Sequence, residues 1–315
     1  MSKFQPSSFA AHEEELAYLK EQGFIVNPLN KKVDSLEEIW AYQEEMQKLR
    51  DKVAYPVDGL VVKLNDNKIA SALGAVGKAP RAWCAIKFPA EEKPTLLQDI
   101  TWQVGRTGRL TPVANLKPVL LSGSTVTRAT LHNYKEFCER GLHQGDTLIV
   151  RKAGDIIPEV VALLPNLRLP ETKVFYPPAV CPVCTASLEK TETGVDLVCP
   201  NSVDCPVQIK LRLSYFASRS MANIAGLSEK IIERFMDEFQ IRDIPDLYTL
   251  DWEKVAELEG FGQKSAQNLK RAVEKSKTLP EAKFFAALGI EGIGEETAKL
   301  ILDYLYAKES QDSPT

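Results

Sequence analysis

YPVDGLVVKLND, residues 55–66, has the β-branched and apolar content of a strand, yet its run Leu60-Val61-Val62 is framed by Asp58-Gly59 and Lys63. A strand built for burial has no use for a terminal lysine unless the ammonium reaches water or an anion. The stretch KAPRAWCAIKFPAEE, residues 78–92, repeats the arrangement: Lys87 closes an apolar strand, and Arg81 stands six residues before it. Two lysines ending neighbouring strands at one edge of a sheet would face a common anion, because point charges can grip a phosphate. Asp58 would oppose them and hold a metal ion or a ribose hydroxyl.

The flanking sequence indicates what surrounds this pair. Leu16 and Leu19, then Ile39, Tyr42, Met46 and Leu49, recur at helical spacing and predict two amphipathic helices within an acidic first 50 residues. Between them GFIVNPL (23–29) reads as a short strand closed by an Asn27-Pro28 turn. EEKPT (91–95) marks a boundary. Beyond it TWQV, TPVANLKPVLL, STVTRATL, DTLIVRKA and IIPEVVALL are short β-rich runs divided by glycine turns, the pattern of a small barrel. Residues 101–170 carry nine Lys or Arg against five acids, which places a basic face here. A Pro-punctuated linker, LRLPETKVFYPPAV (167–180), leads out of this region, and from Val207 the chain is helical with glycine breaks.

Composition is compatible with all of this. The 315 residues are 44% hydrophobic and 26% charged, an ordinary globular balance with room for several domains. No apolar run reaches the roughly 18 residues of a membrane span, and the opening MSKFQPSSFAAHEEE has no apolar core of a signal peptide, so a cytosolic protein is expected. A net charge of −4 excludes a uniformly basic coat but leaves room for one basic face.

Four of the six cysteines fall within residues 181–205: Cys181 and Cys184, then Cys199 and Cys205. Two such pairs on two knuckles can complete a tetrahedron around zinc, and four thiolates leave no open position for catalysis. Cys84 and Cys138 stand alone in strand and helix patterns and read as core residues. Downstream, NIAGLSEKIIERF, ELEGFGQKSAQNL and GIEGIGEETAKLI each place a hydrophobic residue and a glycine turn before a helix, a helix-hairpin-helix pattern that brings backbone N–H groups up to a phosphate. The first copy has Ser228 where the others have Gly262 and Gly294.

With these stretches in view the chain resembles the bacterial NAD-dependent DNA ligases. DGLVVKLND and KAPRAWCAIKFPA are similar to the family's fourth and fifth nucleotidyltransferase motifs. Residues 104–133 and 145–160 resemble its OB-fold domain, and the four-cysteine finger and hairpins come next, in the family's order. The resemblance implies a multi-domain α+β protein: the C-terminal part of an adenylation domain (1–95), an OB-fold barrel (96–170), a zinc finger (174–210) and a helix-hairpin-helix domain (211–307). It implies adenylation of a lysine by NAD, transfer of AMP to the 5′-phosphate of a nick, and attack by the 3′-hydroxyl. Lys63 and Lys87 would hold the adenylate phosphate, with Asp58 and Arg81 in the same pocket. NAD, Zn2+ and Mg2+ or Mn2+ are the implied cofactors, and nicked duplex DNA is the implied partner of a monomer in the bacterial cytoplasm, away from membranes. The family's nucleophile sits in Lys-x-Asp-Gly; the only Asp-Gly here is Asp58-Gly59, with Pro56 at the lysine position, so the nucleophile is expected to be absent from this chain. Ala82 and Ile86 stand where family members carry aromatics, and Trp83 is shifted by one. Two readings are open: a partial ligase, or a catalytically inactive DNA-binding remnant that keeps the barrel, finger and hairpins.

Overall fold

The computed structural model describes residues 9–55, 57–77, 79–121, 123–153 and 157–312; Pro56 and Asp155 lie outside the described residues. The chain divides into two compact units, the first built on residues up to Glu92 and the second on most of the chain from Lys93 onward.

In the first unit the helical periodicity yields α1 (His12–Glu21) and α2 (Leu36–Leu49), the latter started by Ser35, whose hydroxyl accepts the Glu38 N–H at 3.2 Å. GFIVNPL forms no strand. Phe24 and Ile25 are exposed, and with no described strand beside them their β propensity has no ladder to join; the turn after Asn27 does form. The strands β1 (Gly59–Lys63) and β4 (Trp83–Lys87) pair antiparallel. Between them lie α3 (Asn67–Leu73), capped by the Asp66 carboxylate, and the two-residue strands β2 (Ala75–Val76) and β3 (Ala79–Pro80).

The second unit begins as a barrel of β5 (Glu92–Val104), β6 (Arg109–Leu121), β7 (Ser124–Thr130), β8 (Thr147–Ala153) and β9 (Ile157–Leu163). The order β6-β5-β8-β9-β7 closes because β7 returns to β6. Closure removes both sheet edges. The barrel's buried residues include Leu97, Leu116, Val126, Ala129, Leu148, Val150 and Val160. EEKPT runs directly into β5, where Thr95 donates to the Lys117 carbonyl, so the boundary it marks falls within a strand. The helix α4 (Tyr134–Arg140) bridges β7 and β8 and sets Phe137 edge-on to Trp102 at 5.0 Å. Asp146, fully buried, accepts the His143 N–H and two hydrogen bonds from the Arg168 guanidinium, which ties the chain leaving the barrel to the entry of β8.

Beyond the linker, β10 (Glu189–Lys190) and β11 (Leu197–Val198) form the finger's hairpin, and β11 extends the barrel sheet by pairing with β6. The helix α5 (Pro206–Ala217) starts immediately after Cys205, and its Ile209, Leu213 and Phe216 enter the core of the helical region. A division at 210/211 therefore cuts a continuous helix. That core also takes Ile232 and Phe235 from α6 (Glu229–Phe239), Val255 from α7 (Trp252–Glu257), and Leu269 and Val273 from α8 (Gln263–Ser276). The helices α9 (Glu281–Ala287) and α10 (Glu295–Asp312) complete a third hairpin. No helix is long and apolar enough to cross a membrane among the described residues. Cys84 and Cys138, expected in the core, are exposed. Cys84 faces Val62 on a two-stranded ladder that has no third described strand to shield it, and Cys138 lies one residue, about 100° of helix, past the buried Phe137.

Candidate functional site

The β1–β4 ladder places the residues singled out by the sequence. Gly59 lies opposite Lys87 and Lys63 opposite Trp83, so the two lysines occupy opposite ends of the ladder, about 13 Å of strand apart, rather than one edge. The antiparallel register explains the difference: each lysine ends its own strand, and the strands run in opposite directions. Period-two alternation nevertheless puts Val61, Lys63, Trp83, Ala85 and Lys87 on one exposed face, while Leu60, Val62 and Ile86 face the other way and are half-buried. The Lys63 ammonium sits 4.4 Å from the centre of the Trp83 ring, which gives the displaced tryptophan a place in the site.

Arg81 lies in the turn before β4, at the Lys63 end, and Asp58 precedes β1 at the Lys87 end, its carbonyl accepting the Phe88 N–H at 3.0 Å. Gly59 answers to close approach: a Cβ there would strike the Ile86 carbonyl oxygen and lie 2.9 Å from the Lys87 Cα. No carboxylate pairs with Lys63, Arg81 or Lys87 among the described residues. The face thus presents two uncompensated cations, with Arg81 in the turn at its Lys63 end, and suits an anion.

The four finger thiols converge. The sulfurs of Cys181, Cys184, Cys199 and Cys205 all lie within 4.8 Å of one another, close to the about 3.8 Å separation that a tetrahedral thiolate site with 2.3 Å metal–sulfur bonds requires. Backbone N–H groups of Ala186, Asn201 and Gln208 point at Cys184, Cys199 and Cys205, and Cys205 occupies the position just before α5. These donors favour the thiolate form that a cation needs. The Ala186 N–H is the main cause that brings the Cys184 thiol down to about 7, whereas burial pushes Cys199 up to about 12 and raises Cys205. The donor set fits a metal ion that can hold four thiolates.

Comparison with known proteins agrees with this geometry. Residues 2–91 match the model of the NAD-dependent DNA ligase adenylation domain, 94–172 that of the NAD-dependent DNA ligase OB-fold domain, and 218–275 that of a SAM-like helix-hairpin-helix tandem. The chain belongs to the NAD-dependent DNA ligase family. It is 44% identical over 295 residues to a DNA ligase of Thermomicrobium roseum, covering 94% of this chain and 42% of the relative. A DNA ligase of Chloroherpeton thalassium is 41% identical over 95% of the chain and 44% of its own length, and one of Natranaerobius thermophilus 42% identical over 92% and 44%. The chain therefore spans less than half the length of these relatives.

The three glycine turns, two inside the matched tandem and the third beyond it, share one geometry. Gly226, Gly260 and Gly292 have φ of +91°, +78° and +79°, a left-handed conformation that lets the chain turn sharply into α6, α8 and α10. The helix starts differ in charge and capping. Ser228 turns its hydroxyl onto the Ile231 N–H and so fills the place an incoming oxygen would take. Glu295 and Glu296 occupy the first turn of α10, whereas α8 begins Gln263-Lys264 with no acid and an exposed lysine. Of the three starts α8 alone has no acid in its first turn, and there the Gly262 N–H is taken by the Ser265 hydroxyl at 2.9 Å.

Much of the barrel's basic charge is neutralised in the fold. Arg109 pairs with Asp196, Lys135 with Glu139, Arg140 with Glu136, Arg151 with Glu92 and Arg168 with Asp146. Lys117 and Arg128 remain exposed with no carboxylate partner among the described residues. Two of these partners, Asp196 and Glu92, lie outside residues 101–170, so a charge count over that segment does not register them.

Proposed function

We propose that this chain is part of an enzyme that joins 5′-phosphate and 3′-hydroxyl ends at nicks in duplex DNA through adenylate intermediates, drawing AMP from NAD. The observation that carries this reading is the exposed β1–β4 face with Lys63, Lys87 and Arg81 unopposed by carboxylates, inside a domain of the ligase adenylation family. NAD supplies the adenylate. Lys63 and Lys87 bind its phosphate from the two ends of the ladder, Trp83 holds the Lys63 ammonium in place, and Arg81 and Asp58 flank the two ends. Asp58 is one carboxylate, so Mg2+ or Mn2+ would rest mainly on phosphate oxygens and water.

The four cysteines hold Zn2+ as a closed, structural site. The domain order is an adenylation segment, a barrel, a four-cysteine finger and the hairpins, in a monomer of the bacterial cytoplasm. The sequence contains no Lys-x-Asp-Gly, which favours a second reading, a DNA-binding remnant without self-adenylation.

Binding to a nicked duplex tests the DNA part of the reading. Between 50 and 200 mM salt, the log of the affinity should fall by about 0.9 per log unit of salt for each phosphate neutralised. Salt-independent affinity would contradict it.

A further inference from the structure

The turn between β5 and β6, residues 105–108, touches two other parts of the second unit at once. Toward the finger, the Gly108 carbonyl accepts the Cys199 N–H at 2.9 Å, and Arg109 and Leu110 pair with Val198 and Leu197. A Cβ on Gly108 would collide with the Cys199 carbonyl, so barrel and finger backbones are in direct contact. The Arg109 guanidinium binds the buried Asp196 carboxylate, which would be costly to leave unpaired. Toward the third hairpin, Arg106 donates to the Gly289 carbonyl, with its guanidinium carbon 4.3 Å from the centre of the Tyr215 ring. Arg109 also reaches Glu291 at 3.1 Å, next to the turn glycine Gly292.

These contacts differ in weight. Arg109–Glu291 is a solvent-exposed pair and contributes little. The charged hydrogen bond of Arg106, backed by its aromatic contact, is the stronger tie. The third hairpin needs such a tie, because α9 gives the helical core only Ala287 and α10 gives it nothing among the described residues.

We propose that the 105–109 segment is a joint through which the metal-loaded finger fixes the position of the third glycine hairpin, with Arg106 and Arg109 as its positioning residues. Arg109 is committed to the finger and Arg106 to the hairpin, three residues apart on one tight turn. When the finger loosens, β11 leaves β6, the turn loses its support, and Arg106 no longer presents its guanidinium to Gly289. The coupling to metal rests on the reading of the cysteine cluster; the anchoring by Arg106 does not.

Hydrogen exchange on the full chain without DNA separates the two. The amides of Gly289 and Ile293, which donate to Ala286 and Ile290, report on the third turn, and those of Ile232 and Ala266 report on the first two hairpins. Arg106→Ala should speed exchange at Gly289 and Ile293 at least about tenfold and leave Ile232 and Ala266 unchanged, with Arg106→Lys restoring part of the protection. Chelation of the wild-type chain should reproduce that pattern and add little to Arg106→Ala. Unchanged protection of the third turn in Arg106→Ala overturns the joint. Metal release that exposes the finger but leaves Gly289 and Ile293 protected overturns the coupling. Should the chain carry no metal at all, the cluster reading fails and the Arg106 variants alone decide the anchoring.

Discussion

Gly59 shows how one residue can be dictated from across a ladder. Its Cα lies against the backbone of β4, so Gly59→Ala forces the strands apart, and overpacking of this kind costs about 1–3 kcal/mol. Faster amide exchange along β1 and β4, with the barrel unaffected, is the expected result. At Cys199 the controlling quantity is protonation. Burial keeps the metal-free thiol protonated well above neutrality, so binding of the proposed zinc would have to expel its proton. Affinity for zinc should therefore fall as pH falls from 8 to 6, as read by competition with a chelator. Without metal the sign reverses: a thiol raised from 9.0 to about 12 contributes stability that is present below pH 9 and lost as pH rises toward 12.

Among the elements, the three hairpins share a turn and differ in the helix that each turn opens. With no acid in its first turn and Lys264 exposed, α8 should dominate phosphate contact. Lys264→Ala should weaken duplex binding and lower the salt slope by about one, whereas Lys230→Ala on α6, behind the Ser228 cap, should change the slope much less. Much of this level is legible in the sequence. Glycine spacing, alternation and paired cysteines announce the five barrel strands, the finger and the repeats, and all of these signals are local. The features that escape a sequence reading depend on partners distant in the chain. The lysine pair reads as sharing one edge because strand direction is set by pairing, and GFIVNPL reads as a strand although no described neighbour pairs with it. A segmental count overstates the barrel's basic face because Arg109 finds Asp196 87 residues away and Arg151 finds Glu92, two acids that lie outside the segment counted.

For the whole molecule, matched domains cover most of the chain, yet the chain spans less than half of its relatives, and its only Asp-Gly, Asp58-Gly59, is not part of a Lys-x-Asp-Gly. The proposed binding of the adenylate phosphate by Lys63 and Lys87 is a role separable from that of a nucleophile. A duplex carrying a nick already adenylated at its 5′-phosphate makes that separation, because sealing it requires no lysine adduct. The most direct measurement is the rate at which this chain seals such a nick, compared between the wild type, Lys87→Ala and the surface control Lys68→Ala. If Lys63 and Lys87 hold the phosphate, the wild type seals slowly, Lys68→Ala seals equally well, and Lys87→Ala loses at least about 100-fold, the scale on which an electrostatic contact to a reacting group acts. Sealing unaffected by Lys87→Ala, or a wild-type chain that binds the nick but never seals it, would refute that role.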